Sequence, residues 1–342
     1  NPYITIEFQG GEALLNWDVL KKSIEYIKEK NNKYKKDLQI SVVTNLSLMD
    51  NNKLKFIIEN NISICTSLDG PEFIHNKNRI YHAGSSYKKV TYWLKKIKYI
   101  TDKINYDRTD SLPSALMTTT RLSLKYPEEI VDEYKSSGLG GIFLRPLSPI
   151  GYAKIVWDDI GYNADDFLKF YEKAIDYILK INRTELFVEK NAAIKLKKIL
   201  FQEDPNYLDL RSPCGASTGQ LAYNYNGDIY TCDEGRMIAI SNDFHFRVGN
   251  VFESKYSDII ASEPTKNCII SSCLDNNLVC YKCAFKPYCG VCPVFNYEVS
   301  DRTYSSLKTN YWCDIEKGMF KIIIRKIMKK ENYNIFLRWF NA

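Results

Sequence analysis

Along the first 145 residues, apolar positions switch between two periods. Tyr3-Ile4-Thr5-Ile6-Glu7-Phe8, Leu38-Gln39-Ile40-Ser41-Val42-Val43 and Ile62-Ser63-Ile64-Cys65-Thr66-Ser67-Leu68 are short runs rich in β-branched residues, the pattern of strands. Between the first two, Leu20, Ile24 and Ile27 recur at helical spacing from Trp17 to about Lys30; Leu54, Ile57 and Ile58 mark a shorter helix. Asp69-Gly70-Pro71 closes the third strand as a turn. A helix around Tyr87 to Tyr99, a strand around Ser114 to Thr119, a helix from Pro127 to Ser136 and a strand at Gly141 to Leu144 continue the rhythm. Strands separated by helices predict a parallel sheet of βαβ units. In such sheets, open or closed into a barrel, chemistry lies at the C-terminal strand ends. That rule selects Gln9-Gly10-Gly11-Glu12, Thr44-Asn45, Ser67-Leu68-Asp69-Gly70 and Arg145-Pro146.

From about Tyr162 to Leu200 two helical patterns, joined near Arg183, form a bridge. Past Pro205 the texture changes to loops. Tyr223-Asn224-Tyr225-Asn226-Gly227-Asp228-Ile229-Tyr230 reads as a hairpin with Asn226-Gly227 in a type I′ turn, and an amphipathic helix closes the chain. The expected division is 1–160, 161–204, 205–315 and 316–342.

Composition narrows the picture. With 342 residues, 45% of them hydrophobic, the chain can bury a sizeable core and is not a disordered segment. No apolar run approaches the roughly 20 residues of a membrane span, so a soluble cytoplasmic protein is expected. The net charge of +6 comes from dispersed lysines; the dense stretch from Lys321 to Lys330 reads as the polar face of a terminal helix. This is a solvated surface rather than a nucleic-acid site.

Cysteine placement changes the reading most. Of ten cysteines, nine lie between Cys214 and Cys313. Structural disulfides are disfavoured in a reducing cytosol, which leaves metal or cluster ligation. Cys280-x2-Cys283-x5-Cys289-x2-Cys292 brings four thiols within thirteen residues, as in zinc ribbons and iron–sulfur sites. Cys214, Cys232 and Cys313 raise the count to seven, more than one tetrahedral zinc uses. Two clusters, or one cluster and one zinc, fit that number. Cys65, inside a strand, reads as a core thiol, and His75, His82 and His245 share no metal-type spacing and read as loop or surface residues.

The order Cys214, twelve residues, Gly227, four residues, Cys232, the Cys280–Cys292 run and Cys313 resembles the SPASM domain of radical S-adenosylmethionine (SAM) peptide maturases and sulfatase maturases. The resemblance implies two auxiliary [4Fe–4S] clusters. One would be held by Cys280, Cys283, Cys289 and Cys313, the other by Cys214, Cys232 and Cys292. Two residues precede Cys292 where the family usually has three, and the pattern identifies no fourth ligand for the second cluster: Cys268, Cys273 or an open iron are the alternatives. Asp233, directly after Cys232, matches the proton acceptor of sulfatase maturases, with Glu234 the weaker alternative.

The first half resembles the same superfamily. Phe8-Gln9-Gly10-Gly11-Glu12 is similar to its GGE motif, in which glycine backbone and a carboxylate grip the SAM amino group, with Ala13 replacing the usual proline. By resemblance Ser67 and Arg79 contact the SAM carboxylate and ribose, Asn45 lies beside the cofactor and Ile142 packs on its adenine. The fold implied is α/β: a partial (β/α)6 TIM-like barrel, lacking its first strand and cluster loop, followed by a loop-rich cysteine domain. Stretches such as Thr66-Ser67-Leu68-Asp69-Gly70-Pro71, Ser114-Ala115-Leu116-Met117-Thr118-Thr119-Thr120 and Ile142-Phe143-Leu144-Arg145-Pro146 most resemble the His-Xaa-Ser system radical SAM maturase. That resemblance implies a small precursor peptide as substrate and an electron donor protein as partner. Such an enzyme needs a CxxxCxxC loop for the cluster that cleaves SAM to the 5′-deoxyadenosyl radical. This sequence has no cysteine before Cys65, and an N-terminal truncation is expected to account for it.

Overall fold

The computed structural model describes residues 2–103, 113–304 and 311–340. Two compact units emerge, each made of two stretches: Asn1–Arg145 with Lys173–Lys190, and Pro146–Glu172 with Asn191–Ala342. This interleaving differs from the expected serial division, because residues 173–190 of the helical bridge pack with the first unit.

In the first unit, strands β1 (Tyr3–Phe8), β2 (Asp37–Val43), β3 (Ile62–Ser67) and β4 (Ser114–Leu116) form one sheet in sequence order, every neighbouring pair parallel. The crossovers are helices α1 (Trp17–Tyr34), α2 (Asn51–Glu59), α3 (Glu72–Asn78) and α4 (Ser86–Lys103), followed by α5 (Pro127–Ser136). Local chemistry marks their ends. The Asp50 carboxylate caps α2 by accepting from the Lys53 N–H at 2.8 Å, and α5 begins at Pro127 with Glu128 and Glu129 in its first turn. The core lies where Leu20 and Ile24 of α1 and Leu54 and Ile57 of α2 cover Ile40, Val42, Ile62 and Ile64 of the sheet. Burying such side chains gains roughly 1.5–3 kcal/mol each before entropy is counted.

The fourth strand is shorter than expected. After Leu116 the backbone is held by side chains instead of a ladder. The Thr118 N–H donates to Asp69 Oδ1 at 2.8 Å, and Thr120 N–H to Ser123 Oγ at 3.1 Å. Two further strands, β5 (Gly141–Ile142) and β6 (Val188–Glu189), make a separate parallel pair. Among the described residues no ladder joins β4 to β5, although Thr119 Oγ1 donates to the Arg145 carbonyl at 2.7 Å.

The second unit begins with two single turns, α6 (Tyr152–Ile155) and α7 (Trp157–Ile160). Helix α8 (Ala164–Ile181) runs from it into the first unit, and α9 (Lys190–Phe201) returns. A three-stranded antiparallel sheet follows: β7 (Ala222–Tyr223), β8 (Asp228–Tyr230) and β9 (Arg247–Asn250). Its hairpin differs from the type I′ expectation. Gly227 N–H donates to the Asn224 carbonyl at 3.0 Å and Gly227 alone of the turn has positive φ, 86°, so this is a type I turn closed by a left-handed glycine. The rest is short helices among loops: α10 (Asp233–Ile238), α11 (Tyr256–Ala261), α12 (Glu263–Ser272), α13 (Leu278–Tyr281) and α14 (Pro293–Ser300), closed by α15 (Tyr311–Ile327) and α16 (Lys330–Arg338). No described helix is long and apolar enough to cross a membrane.

A buried ion pair fastens α9 to α15. Lys195 Nζ lies 2.9 Å from Glu316 Oε2, with side-chain exposures of 1% and 5%; Nζ also donates to Asn191 Oδ1 at 2.9 Å and stands 5.3 Å from the Phe320 ring centroid. Removing one partner strands a buried charge, which costs on the order of 3–5 kcal/mol, whereas removing both costs far less. Lys195→Met is therefore expected to lower the urea midpoint strongly and the double variant Lys195→Met/Glu316→Leu to recover most of the loss; equal midpoints for the two variants would refute this.

Candidate functional site

Polar residues gather at the C-terminal edge of the parallel sheet. The Glu12 carboxylate, from the loop after β1, accepts from Thr44 Oγ1 at 2.6 Å, from the Asn45 N–H at 2.9 Å and from the Leu14 N–H at 3.0 Å. Thr44, one of the strand-end residues selected from the sequence, is the buried side chain that anchors it. Gly10 has φ of 150° and Gly11 follows; no heavy atom lies within 4 Å of where either Cβ would stand, so their backbone faces open space. Asn45 is exposed and accepts from the Ser47 N–H at 2.9 Å, while Ser67 ends β3, half-buried.

Next to Ser67 lies a network that the motifs did not reveal. Asp69 is fully buried and grips Arg79 in a fork, Nε at 2.9 Å and Nη2 at 3.1 Å, while Nη2 also donates to Thr118 Oγ1 at 3.0 Å. The guanidinium plane is thereby fixed. His75 is another departure: it is fully buried, where a loop or surface position was expected, because α3 turns it inward. Its Nδ1 accepts from the Asp69 N–H at 3.2 Å, which puts the proton on Nε2, 3.1 Å from Ser86 Oγ. Ile142 is fully buried by protein and as it stands turns no surface to a cofactor.

In the second unit, Cys280, Cys283, Cys289, Cys292 and Cys313 line one cavity together with Phe285, Trp312, Glu316 and Lys317. Burial, then Cys313 and Cys283, push the Cys280 thiol up to about 11. Burial, then Glu316, push Cys289 further, against the pull of Lys195. Gly290 is required by packing, since a Cβ there would meet the Asp209 carbonyl oxygen at 1.9 Å.

A second set packs in one apolar core: Cys214, Cys232 and Cys268, with Cys292 against them. Cys232 and Cys292 are the N-cap residues of α10 and α14, and each sulfur accepts a backbone N–H at 3.4 Å, from Gly235 and Phe295. Burial raises all three expected ligands of this set, Cys214 to about 11, and Glu234 adds to the rise of each. Asp233, expected as the proton acceptor, is ion-paired with Arg236 at 2.7 Å; Glu234, and for Cys214 and Cys292 also Asp209, are acids whose charge reaches these sulfurs.

The donor chemistry of both sets suits a cationic inorganic group, which would relieve the mutual repulsion of buried thiolates. Among the described residues, no three Cys, His, Asp or Glu side chains converge tightly enough for a single metal ion. Zinc at about 2.3 Å from its sulfurs holds them roughly 3.8 Å apart.

No protein-family model matches the chain. Its α/β fold, with the parallel sheet, is that of solved sulfatase-maturase structures. The chain titled native anSMEcpe with bound AdoMet and Kp18Cys peptide aligns with TM-score 0.75 at 21% identity, over 97% of this chain and 86% of that one. In sequence the chain is 24% identical to the cysteine-type anaerobic sulfatase-maturating enzyme of Clostridium novyi, over 94% of its own length and 81% of the relative. It is likewise 24% identical to the radical SAM cyclopropyl synthase TigE of Paramaledivibacter caminithermalis, over 98% of this chain and 62% of TigE. These relatives support an enzyme of the radical SAM maturase class and do not single out the His-Xaa-Ser system.

The buried imidazole yields a pH test. Burial, with Arg79 adding and Asp69 opposing, lowers His75 to about 4 from its ordinary 6.5. Between those values the unfolded chain binds the proton and the folded one does not, so stability falls as pH drops from 6.5 toward 4, by up to about 1.4 kcal/mol per pH unit. His75→Gln is expected to flatten that part of the urea-unfolding pH profile; parallel profiles for variant and parent would contradict it.

Proposed function

We propose that this chain is the catalytic body of a radical SAM maturase that modifies a peptide, with two auxiliary 4Fe–4S clusters in a SPASM-like domain. The observation that carries the reading is the gathering of eight cysteines, most of them in loops, around one cavity and one core, in a chain whose relatives are radical SAM enzymes. Bound SAM with its own cluster would supply the radical that takes a hydrogen atom from the peptide.

The chain's residues then have separate tasks. Glu12, oriented by Thr44 and the Asn45 N–H, offers its carboxylate to the SAM ammonium, and the bare backbone of Gly10 and Gly11 allows close approach. Asp69 and Thr118 hold the Arg79 guanidinium so that it can meet a carboxylate or ribose hydroxyl beside Ser67. Cys280, Cys283, Cys289 and Cys313 hold one auxiliary cluster, and Cys214, Cys232 and Cys292 hold the other. Asp233, directly after Cys232, is the acid placed to accept a proton next to a cluster, with Glu234 the alternative. The substrate is a ribosomal precursor peptide, of the His-Xaa-Ser repeat type by sequence resemblance. A second reading, a sulfatase peptide, is favoured by the Clostridium relatives and by the peptide-bound structure.

Anaerobic purification of the protein as encoded, followed by iron, sulfide and zinc analysis, tests the clusters. About eight iron and eight sulfide per chain are expected from the auxiliary sites, with absorbance near roughly 400 nm. About two zinc per chain and no such absorbance would leave a zinc-binding peptide module that catalyses nothing. Mass spectrometry after incubation with SAM, reductant and either a His-Xaa-Ser repeat peptide or a sulfatase cysteine peptide distinguishes the substrates.

A further inference from the structure

We infer that Cys268 is the fourth protein ligand of the set formed by Cys214, Cys232 and Cys292, so that this auxiliary cluster is closed by thiolates at all four corners. The inference rests on the cluster reading above and extends it to a residue that the cysteine spacing leaves undecided.

Four observations carry it. First, Cys268 sits in the middle of α12, fully buried, and shares one core with Cys214, Cys232 and Cys292. Cys273, the other candidate, caps the C-terminal end of the same helix and is half-buried. Second, the Thr231 hydroxyl bridges two of the sulfurs: it lies 3.8 Å from Cys232 Sγ and also hydrogen-bonds the Cys268 thiol. Third, the loop of Cys214 is tied to the turn of α12 that carries Cys268. The Cys214 N–H donates to Ser272 Oγ at 2.9 Å, and that hydroxyl donates to the Cys268 carbonyl at 2.5 Å. Fourth, the buried face of α12 is Thr265, Cys268, Ser271 and Ser272. A helix packed as ordinary core would turn large apolar side chains inward. This one presents small hydroxyl side chains, which donate to the backbone carbonyls of Ile259, Asn267 and Cys268 and leave Cys268 as the sulfur of that face.

A core cysteine that only fills space behaves as a small hydrophobe, and exchanging it leaves metal content unchanged. The protein as encoded, its Cys268→Ala and Cys268→Ser variants and Cys273→Ala are purified anaerobically and reconstituted with iron and sulfide. Iron, sulfide and zinc are counted, and EPR spectra are recorded before and after dithionite reduction. Both Cys268 variants are expected to lose about one to four iron per chain, through a three-iron signal or loss of one cluster, while Cys273→Ala matches the parent. The serine variant keeps the side-chain volume and so separates lost ligation from lost packing. Parent-like iron and EPR in Cys268→Ser overturn the inference alone, as does loss confined to Cys273→Ala. Zinc without iron in the parent overturns the cluster reading and this inference with it.

Discussion

Thiolates repel one another and lose hydration when buried, and the second unit is organised around that conflict. Its interior is lined by cysteines where a domain of this size would ordinarily place leucine and isoleucine: Cys214, Cys232 and Cys268 are members of its apolar core. Every sulfur with a resolved shift is pushed toward the neutral thiol by burial first and, in most cases, by neighbouring cysteines or acids next. What opposes the repulsion is local. Backbone N–H groups at two helix starts point at Cys232 and Cys292, and Lys195 and Lys317 lie near Cys289 and Cys313. Most of these cysteines stand in loops or at the starts of short helices, so that each side chain enters the interior from a segment of its own.

The first unit solves a different problem, the presentation of polar groups at a sheet edge. A parallel sheet buries its strands and leaves the carboxyl ends open, so polar side chains collect there. Here they are pre-ordered by one another. Glu12 from the first loop is held by the end of β2, and Asp69 after β3 is shared between Arg79 and the backbone at Thr118. Asp69 is fully buried and carries two charge-assisted bonds, which makes it the hinge pin of that edge.

How much of this was legible follows from which interactions are local. Strands β1 to β3 and helix α5 were readable because β-branched runs, the Asp-Gly-Pro turn and Pro127 act within a few residues. The early end of β4 was not: it depends on Asp69, 49 residues away, capturing the Thr118 N–H. His75 looked like a loop residue for the same reason, since its burial is made by Ser86 and Asp69 on other elements. The parallel pairing of β5 with β6 hid inside a helical pattern because a two-residue strand leaves no period to detect. Among site residues, the cysteines were visible by count and spacing, and Glu12 by its glycines. Thr44 and Asp69 were legible only as strand-end residues and Cys268 only as one of several alternatives, because their partners are set when the strand ends and α12 fold around them.

The spacing at Cys292 shows how a local departure from a pattern is absorbed. Between Cys289 and Cys292, where two residues stand in place of three, Gly290 lies against the Asp209–Leu210 backbone, closer than any side chain permits. That contact brings Cys292 to the wall of the first cavity and against the core of the second set at once. Cys292 then starts α14, with its sulfur accepting the Phe295 N–H. A single residue thus couples the two sets through one short segment. The shortened spacing leaves Cys292 in reach of both groups of cysteines, and a helix start fixes the direction of its sulfur.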